Sequence, residues 1–117
     1  MVKRKGLIGL SAGNLQEVEF LVDTGSFYTI LPPKIAESLG IEFPESTKVV
    51  LADSREATVN VGVAYWKLDG REGGVIVGVI KVPMPLLGAS ALEVLGLKVD
   101  PVAEKLEPTR PFEPAAL

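Results

Sequence analysis

One short segment of the chain combines residue types that suit acid–base chemistry. The run Asp23-Thr24-Gly25-Ser26 directly follows two apolar residues, Leu21 and Val22. A carboxylate placed straight after a buried strand is costly unless it is paired or functional. An ordinary exposed turn is the alternative interpretation, because Asp and Gly are common in turns. The apolar pair in front favours the first interpretation, so Asp23 is the leading candidate for a catalytic group.

The residue types that the chain lacks restrict this chemistry. It contains neither Cys nor His, which excludes disulfides, a thiol nucleophile, a Ser-His-Asp triad and the common zinc sites. Acid–base catalysis without a cofactor then falls to Asp, Glu, Lys or Tyr. No spacing typical of metal ligands is visible, so we expect no metal and no cofactor. A metal-assisted hydrolase that uses Asp and Glu clusters stays open as an alternative.

Length and charge bound the class of protein. The 117 residues fit one domain, and 47% of them are hydrophobic, which is enough for a packed core. The net charge of −3 and a single basic cluster, Lys3-Arg4-Lys5, argue against nucleic-acid binding. No apolar run could span a bilayer, and the one after the basic start is too short for a signal peptide. We expect a cytoplasmic protein with no nucleic-acid or membrane partner.

The elements around Asp23 are predicted to be strands followed by a short helix. Residues 17–22 alternate between polar and apolar side chains, as a half-buried strand does. With a strand over residues 5–10, they form a hairpin that leads into Asp23. Residues 27–31 are again β-prone. Pro32-Pro33 can begin a helix, and Gly40 is placed where a left-handed cap would end it.

The rest of the chain is predicted to be rich in strands. Residues 48–51 and 58–63 read as two strands joined by a polar tip at 52–57, and Asp69-Gly70 predicts a hairpin turn. The apolar run 75–82 predicts a central strand, and Gly73-Gly74 before it is interpreted as a bulge or turn. Ala89–Leu95 is a second helix. Many strands and two short helices predict an all-β, barrel-like fold.

Two further patterns concern the organisation of the chain. Segment 38–43 resembles segment 94–99, and each follows a short helix, which suggests two similar halves. Four prolines follow position 100 in the last part of the chain, so no long regular element is expected there. We therefore divide the chain into a domain over residues 1–101 and a proline-rich tail, residues 102–117, that is extended, wrapped or disordered.

The first signature, at residues 21–26, resembles that of the retropepsin-like aspartic peptidases: two apolar residues, Asp-Thr-Gly, then Ser or Ala. Leu86-Leu87-Gly88 resembles the second signature of that family, an apolar-apolar-Gly turn that opens a helix. Ala52-Asp53-Ser54-Arg55 lies where the flap hairpin of the family belongs, and by resemblance would bind substrate. The resemblance extends over residues 5–101 and implies a closed β-barrel of the acid-protease type.

The resemblance also implies a function and a role for each residue of the first signature. Asp23 would be the catalytic carboxylate of an aspartic endopeptidase, and Thr24 would bond to the matching loop of a partner. Gly25 would let the backbone approach closely and adopt torsions closed to other residues. Ser26 would hydrogen-bond the carboxylate or its surroundings.

A single Asp-Thr-Gly per chain implies a homodimer in which two Asp23 carboxylates share one proton. The substrate would be a peptide or an unfolded protein. The alternative is a non-catalytic peptide-binding module that keeps the fold. The glycine-free flap tip motivates it, as does the proline-rich end, residues 108–117. That end fits poorly with the paired terminal strands through which some relatives dimerise, so the dimer would be weak or built differently.

Overall fold

The computed structural model describes residues 2–51 and 53–112. This part of the chain holds nine strands and two short helices. The elements in chain order are β1 Lys3–Ser11, β2 Asn14–Val22, β3 Thr29–Leu31, α1 Pro33–Leu39, β4 Glu45–Val50, β5 Glu56–Leu68, β6 Arg71–Val79, β7 Leu86–Leu87, α2 Ala89–Leu95, β8 Leu97–Asp100 and β9 Lys105–Pro108. Neither helix in the described residues is long and apolar enough to cross a membrane.

Seven of the strands form one sheet that closes on itself. Its order is β1-β2-β7-β3-β6-β5-β4, and β1 also pairs with β5, where Ile8 lies opposite Trp66. The ring therefore runs from β1 round to β5 and back, while β4 extends outward from β5. Closing a sheet in this way removes the exposed edges that an open sheet presents. The predicted all-β, barrel-like class is confirmed.

The alternation of β2 explains how the interior is filled. Phe20 and Val22 point inward and are buried, whereas Glu17 and Glu19, on the opposite face of the strand, are exposed. Phe20 meets the fully buried Trp66 of β5 edge to face, with ring centroids 5.2 Å apart and ring planes at 85°. This geometry is one that aromatic pairs prefer, and two such rings contribute a large share of the buried apolar area.

The two suggested halves correspond to two similar strand–loop–helix units. Helices α1 and α2 each have seven residues. Each ends at a left-handed glycine, Gly40 with φ 70° and Gly96 with φ 65°. Parallel pairings link the units, since β2 pairs with β7 and β3 pairs with β6. Both helix predictions, including the glycine stops, are confirmed.

The interpretation of Gly73-Gly74 as a bulge or turn is wrong. Both glycines lie inside β6 in regular register, opposite Trp66 and Tyr65 of β5. A Cβ at position 73 would stand 2.9 Å from Cγ1 of Val94. The small residue therefore lets α2 pack closely on the sheet, which is a packing requirement and not a turn signal.

The predicted tail is partly regular. Residues Lys105–Pro108 form β9, which pairs with β8 in a separate two-stranded sheet, and Leu106 is buried. Residues 113–117 of the predicted tail lie outside the described part of the chain. The division of the chain at residue 101 stays a prediction.

Candidate active site

Asp23 lies where the two signature segments meet. Val22, the last residue of β2, pairs with Leu87 of β7. The backbone N–H of Asp23 then donates to the carbonyl oxygen of Leu87 at 2.9 Å, and that of Leu21 donates to Pro85 at 3.0 Å. The Leu86-Leu87-Gly88 turn thus holds the strand that delivers the carboxylate, although the two segments are more than sixty positions apart.

Two backbone hydrogen bonds shape the loop around the Asp23 side chain. The N–H of Gly25 donates to Oδ1 of Asp23 at 3.0 Å, and the N–H of Ser26 donates to the Asp23 carbonyl at 3.2 Å. Oδ2 accepts no hydrogen bond from the described residues, so this oxygen is available to a reactant. A carboxylate oriented by its own loop keeps one fixed geometry for proton transfer.

Thr24, Gly25 and Ser26, which follow Asp23, differ in their exposure and in the groups that they contact. A Cβ at position 25 would lie 3.3 Å from Oδ1 of Asp23, so Gly25 does allow a close approach. Its φ is not in the positive range, and the expected unusual torsion is therefore wrong. Ser26 donates from Oγ to the carbonyl of Tyr28 at 2.7 Å and so bonds the surroundings of the carboxylate. Thr24 is exposed, and its hydroxyl makes no hydrogen bond within the described residues.

The first turn of α2 fastens the loop that follows Asp23. Ala89 N–H donates to the Ser26 carbonyl at 2.7 Å, and the N–H and Oγ of Ser90 donate to the Phe27 carbonyl at 3.1 and 2.5 Å. Gly88 N–H donates to Oγ1 of the buried Thr29 at 3.1 Å. Sequence reasoning missed Ser90 and Thr29. Ser90 could have been found, because a serine in the first turn of a helix often hydrogen-bonds to backbone. No sequence signal pointed to Thr29.

A cleft of about 590 Å³ opens above the carboxylate. Its walls come from the loop after β2, from the β4 side of the flap hairpin and from the segment between β6 and β7. Asp23 and Lys48 are its only charged lining residues in the described part of the chain, and most of the others are apolar. The lining residues are Asp23, Gly25, Ser26, Phe27, Tyr28, Ile30, Lys48, Val49, Val50, Leu51, Ile80, Val82 and Leu86. No group of His, Cys, Asp or Glu among residues 2–51 and 53–112 could hold a metal ion.

Comparison with known proteins decides the family. A family model described as aspartyl protease matches residues 5–102. The chain belongs to the aspartyl protease family. The solved structure of EIAV protease complexed with the inhibitor HBY-793 is similar, with a TM-score of 0.63 and 21% sequence identity, over 84% of this chain and 90% of that one. At that identity the likeness shows the fold, which is of the retroviral-protease type. A search among curated proteins gives no significant match.

The hairpin that the sequence predicts as a flap is formed by β4 and β5, and its tip is a tight, ion-paired turn. Ser54 has a φ of 69°, a conformation that glycine adopts readily. Asp53 accepts from the backbone N–H of Arg55 at 3.2 Å and from its Nε at 2.5 Å. The N–H of Leu51 donates to the Arg55 carbonyl at 2.8 Å. The tip is therefore a defined turn without glycine among residues 51 and 53–56.

The flap residues proposed from the sequence are not all placed at the cleft. The cleft is lined by Leu51 and the β4 residues before it, whereas Asp53, Ser54 and Arg55 do not line it. Ala52 lies outside the described residues. A role for the tip in binding substrate stays a prediction.

A smaller pocket of about 210 Å³ lies on another side of the same carboxylate. Val22, Asp23 and Thr24 form part of its wall, together with residues near the two ends of the chain. Those residues are Val2, Val99, Pro101 and Glu104. In this family member the catalytic candidate thus faces both the large cleft and a pocket shared with the β8–β9 hairpin.

Proposed function

We propose that the protein is an aspartic endopeptidase that works as a homodimer, with Asp23 of each protomer in one shared site. The observation that carries the proposal is a single carboxylate, oriented by Gly25 N–H, in a mostly apolar cleft. Within residues 2–51 and 53–112, Asp23 is the only acidic residue that lines the cleft. Since peptide hydrolysis by carboxylates needs both an acid and a base, the second carboxylate has to come from another chain.

The chemistry follows from two carboxylates held close together. They cannot both ionise easily, so they share one proton, and their titration belongs to the pair; aspartic proteases are the established example. The ionised Asp23 takes a proton from water as the oxygen attacks the peptide carbonyl carbon. The protonated Asp23 of the partner subunit gives its proton to the amide nitrogen as the C–N bond breaks. Water ends as part of the new carboxyl group, and the amine leaves.

The cleft indicates what the substrate would look like. An extended peptide would lie between the flap and the floor of the cleft, with backbone hydrogen bonds to a strand edge. Phe27 and Val50 line the cleft with large exposed apolar surfaces, 61% and 72% exposed. We therefore expect the preferred substrates to carry apolar side chains next to the peptide bond that is cleaved.

The test is peptide cleavage as a function of protomer concentration. An unfolded protein mixture is incubated with the enzyme from acidic to neutral pH, with and without a chelator. If only the dimer is active, the rate rises with the square of protomer concentration well below the dimer Kd and linearly above it. Asp23→Asn removes the acid–base group and should lower the rate by at least about 100-fold.

The matched control is Asp69→Asn. Asp69 lies in the β5–β6 turn with a φ of 53°, which asparagine tolerates, and it is not part of the cleft. This variant should keep full activity. Cleavage that survives Asp23→Asn would remove Asp23 as the catalyst. A folded dimer that binds peptide without cleaving it at any pH would instead support the peptide-binding alternative.

A further inference from the structure

A second depression of about 590 Å³ lies on the outer face of the sheet and shares no lining residue with the cleft. We call it the outer groove. Three of its lining residues are large apolar side chains in solvent: Leu10, Val63 and Ile76 are 51%, 66% and 46% exposed. One exposed apolar residue needs no explanation. Three that line a single groove with a polar rim are typical of a surface that binds another molecule.

The floor of the outer groove is made by two neighbouring strands. Val63 of β5 lies directly opposite Ile76 of β6. The next residues along these strands, Ala64 and Val75, are buried on the inner face. Side chains opposite each other in an antiparallel pair stand about 4.5–5.5 Å apart at Cβ, so the two form one apolar surface. A Cβ at position 74 would lie 3.5 Å from Cγ1 of Val63, and with glycine there the valine stays uncovered.

One wall of the outer groove is the linker between α1 and β4, and it is fixed in place. Gly40 ends α1 with a φ of 70°, and Ile41 after it is buried. A Cβ at position 62 of β5 would stand 2.1 Å from the carbonyl oxygen of Glu42 and 3.4 Å from Cα of Phe43. The linker backbone therefore rests directly on β5. A preformed groove loses little conformational freedom when it binds a partner.

The charge on the rim indicates what kind of partner fits. Glu42 and Glu45 are exposed, and they are the only charged residues that line the outer groove in residues 2–51 and 53–112. Neither forms an ion pair with another residue of those ranges. Two free carboxylates beside an apolar floor favour a polypeptide in which an apolar side chain is flanked by lysine or arginine. The same charges repel nucleic acids and anionic membrane surfaces.

Strand β4 connects the outer groove to the cleft. Glu45 begins β4 and lines the groove, whereas Lys48 and Val50 of the same strand line the cleft. At about 3.3 Å per residue, Glu45 and Val50 are about 17 Å apart. A flexible chain of about ten residues has an average end-to-end distance of that size. One polypeptide can therefore fill the cleft and the outer groove at the same time.

We infer that the outer groove is a docking site for the substrate protein. An apolar side chain of the substrate packs on Val63 and Ile76, and neighbouring lysine or arginine side chains lie beside Glu42 and Glu45. This inference rests on the proposed peptidase function and deepens it, because it names a segment that the substrate carries about ten residues from the cleaved bond. Two linked contacts bind more tightly than either contact alone, since the second one is intramolecular.

The first test measures binding in the full chain with Asp23→Asn, so that the probe is not cleaved. The probe is a fluorescein-labelled peptide of leucine and lysine, followed by fluorescence anisotropy. It should bind at least about tenfold more tightly than a peptide with glutamate in place of lysine, or one with serine in place of leucine. Its affinity should fall as salt is added, because salt screens the exposed charges.

Two exposed valines locate the binding site of the probe. Val63→Ser removes apolar surface from the floor of the outer groove and should weaken binding at least about fivefold. The matched control is Val50→Ser, in the cleft, which should leave the affinity for this peptide unchanged. Both valines are largely in solvent, so both variants should fold, and circular dichroism verifies this.

A charge reversal tests the rim without altering the floor. In the double variant Glu42→Lys, Glu45→Lys, the peptide of leucine and glutamate should bind more tightly than the peptide of leucine and lysine. Unchanged preference in this variant would overturn the assignment of the basic partner.

The second test measures cleavage of one short peptide with and without the leucine–lysine segment, joined through a Gly/Ser linker of about ten residues. The segment should raise kcat/KM at least about fivefold, mainly through a lower KM. This gain, taken as the ratio of the two substrates within each protein, should vanish in Glu42→Lys, Glu45→Lys.

The outcomes separate this inference from the proposed function. Equal effects of Val63→Ser and Val50→Ser on probe binding would overturn the docking site. If Val63→Ser changes the oligomeric state in sedimentation but not the affinity for the probe, the groove is a contact between copies and the inference is wrong. If both substrates are cleaved equally well, the peptidase proposal stands and the inference fails. If the probe binds in the groove but no substrate is cleaved, the polypeptide site stands and the peptidase proposal fails.

Discussion

Gly88 lies directly against the carbonyl group of Tyr28, and a Cβ at position 88 would stand 2.4 Å from that oxygen. Only glycine fits here, because the obstacle is backbone and cannot move as a side-chain end would. Gly88→Ala should therefore push α2 away from the loop after Asp23. We expect a loss of about 1–3 kcal/mol in the free energy of unfolding and a lower kcat, measured by urea denaturation and peptide cleavage.

Gly13→Ala is the control for this substitution. Nothing lies within 4 Å of a Cβ at position 13, in the β1–β2 turn. The free energy of unfolding should change by no more than about 0.5 kcal/mol. Equal effects of the two alanines would show that the contact at position 88 is not what constrains the active-site loop.

Ser90 is a positioning residue for the same loop. Its Oγ donates to the Phe27 carbonyl, whereas the serine of α1, Ser38, donates to Ile35 within its own helix at 2.9 Å. Ser90→Ala should cost about 0.5–1.5 kcal/mol of stability and lower kcat more than it raises KM, because the loop carries the carboxylate. Ser38→Ala should change neither kinetic constant. A pure KM effect of Ser90→Ala would contradict a role in positioning Asp23.

Lys48 should set a preference for charge in the substrate. It is the one basic residue that lines the cleft in the part of the chain that the structure describes, and it is exposed on β4. We expect peptides with an acidic side chain near Lys48 to be cleaved faster than the same peptides with a basic one. Lys48→Glu should reverse this order, which a comparison of kcat/KM on matched Glu and Lys peptides would measure. An unchanged order would show that Lys48 does not contact the substrate.

Asp100 should make the β8–β9 hairpin sensitive to acid. Hydrogen bonds from the backbone N–H groups of Ala103 and Val102, together with nearby lysines, hold the pKa of this carboxyl below its ordinary value of 3.8. A depressed pKa in the folded state adds stability above the unfolded value, and this is lost as the pH falls through the folded value. Wild type should therefore exceed Asp100→Asn in stability near pH 6, and the difference should vanish below the folded pKa.

Denaturation curves of wild type and Asp100→Asn, measured from near pH 6 to acidic pH, test the sign of this difference in stability. A stability difference between wild type and Asp100→Asn that does not depend on pH would rule out the charge on Asp100 as its source.

Local rules explain which elements could be predicted. The prolines before α1 and the glycines after both helices act through the backbone torsions of single residues, so α1 and α2 were predicted closely. Asp69-Gly70 likewise forms its turn, with φ values of 53° and 75°. The start of β4 was predicted less accurately. The strand begins at Glu45 and not at residue 48, because its length is set by pairing with β5.

The candidate carboxylate and the family could be predicted from local sequence, because Asp-Thr-Gly and the Leu86-Leu87-Gly88 turn are contiguous residues with local steric requirements. How the cleft and the β8–β9 hairpin are built depends instead on long-range packing. Arg71 shows the reason: its carbonyl partners lie 24, 25 and 39 positions away. No local pattern encodes contacts of that kind, since they exist only once β6, α2 and the end of the chain have packed together.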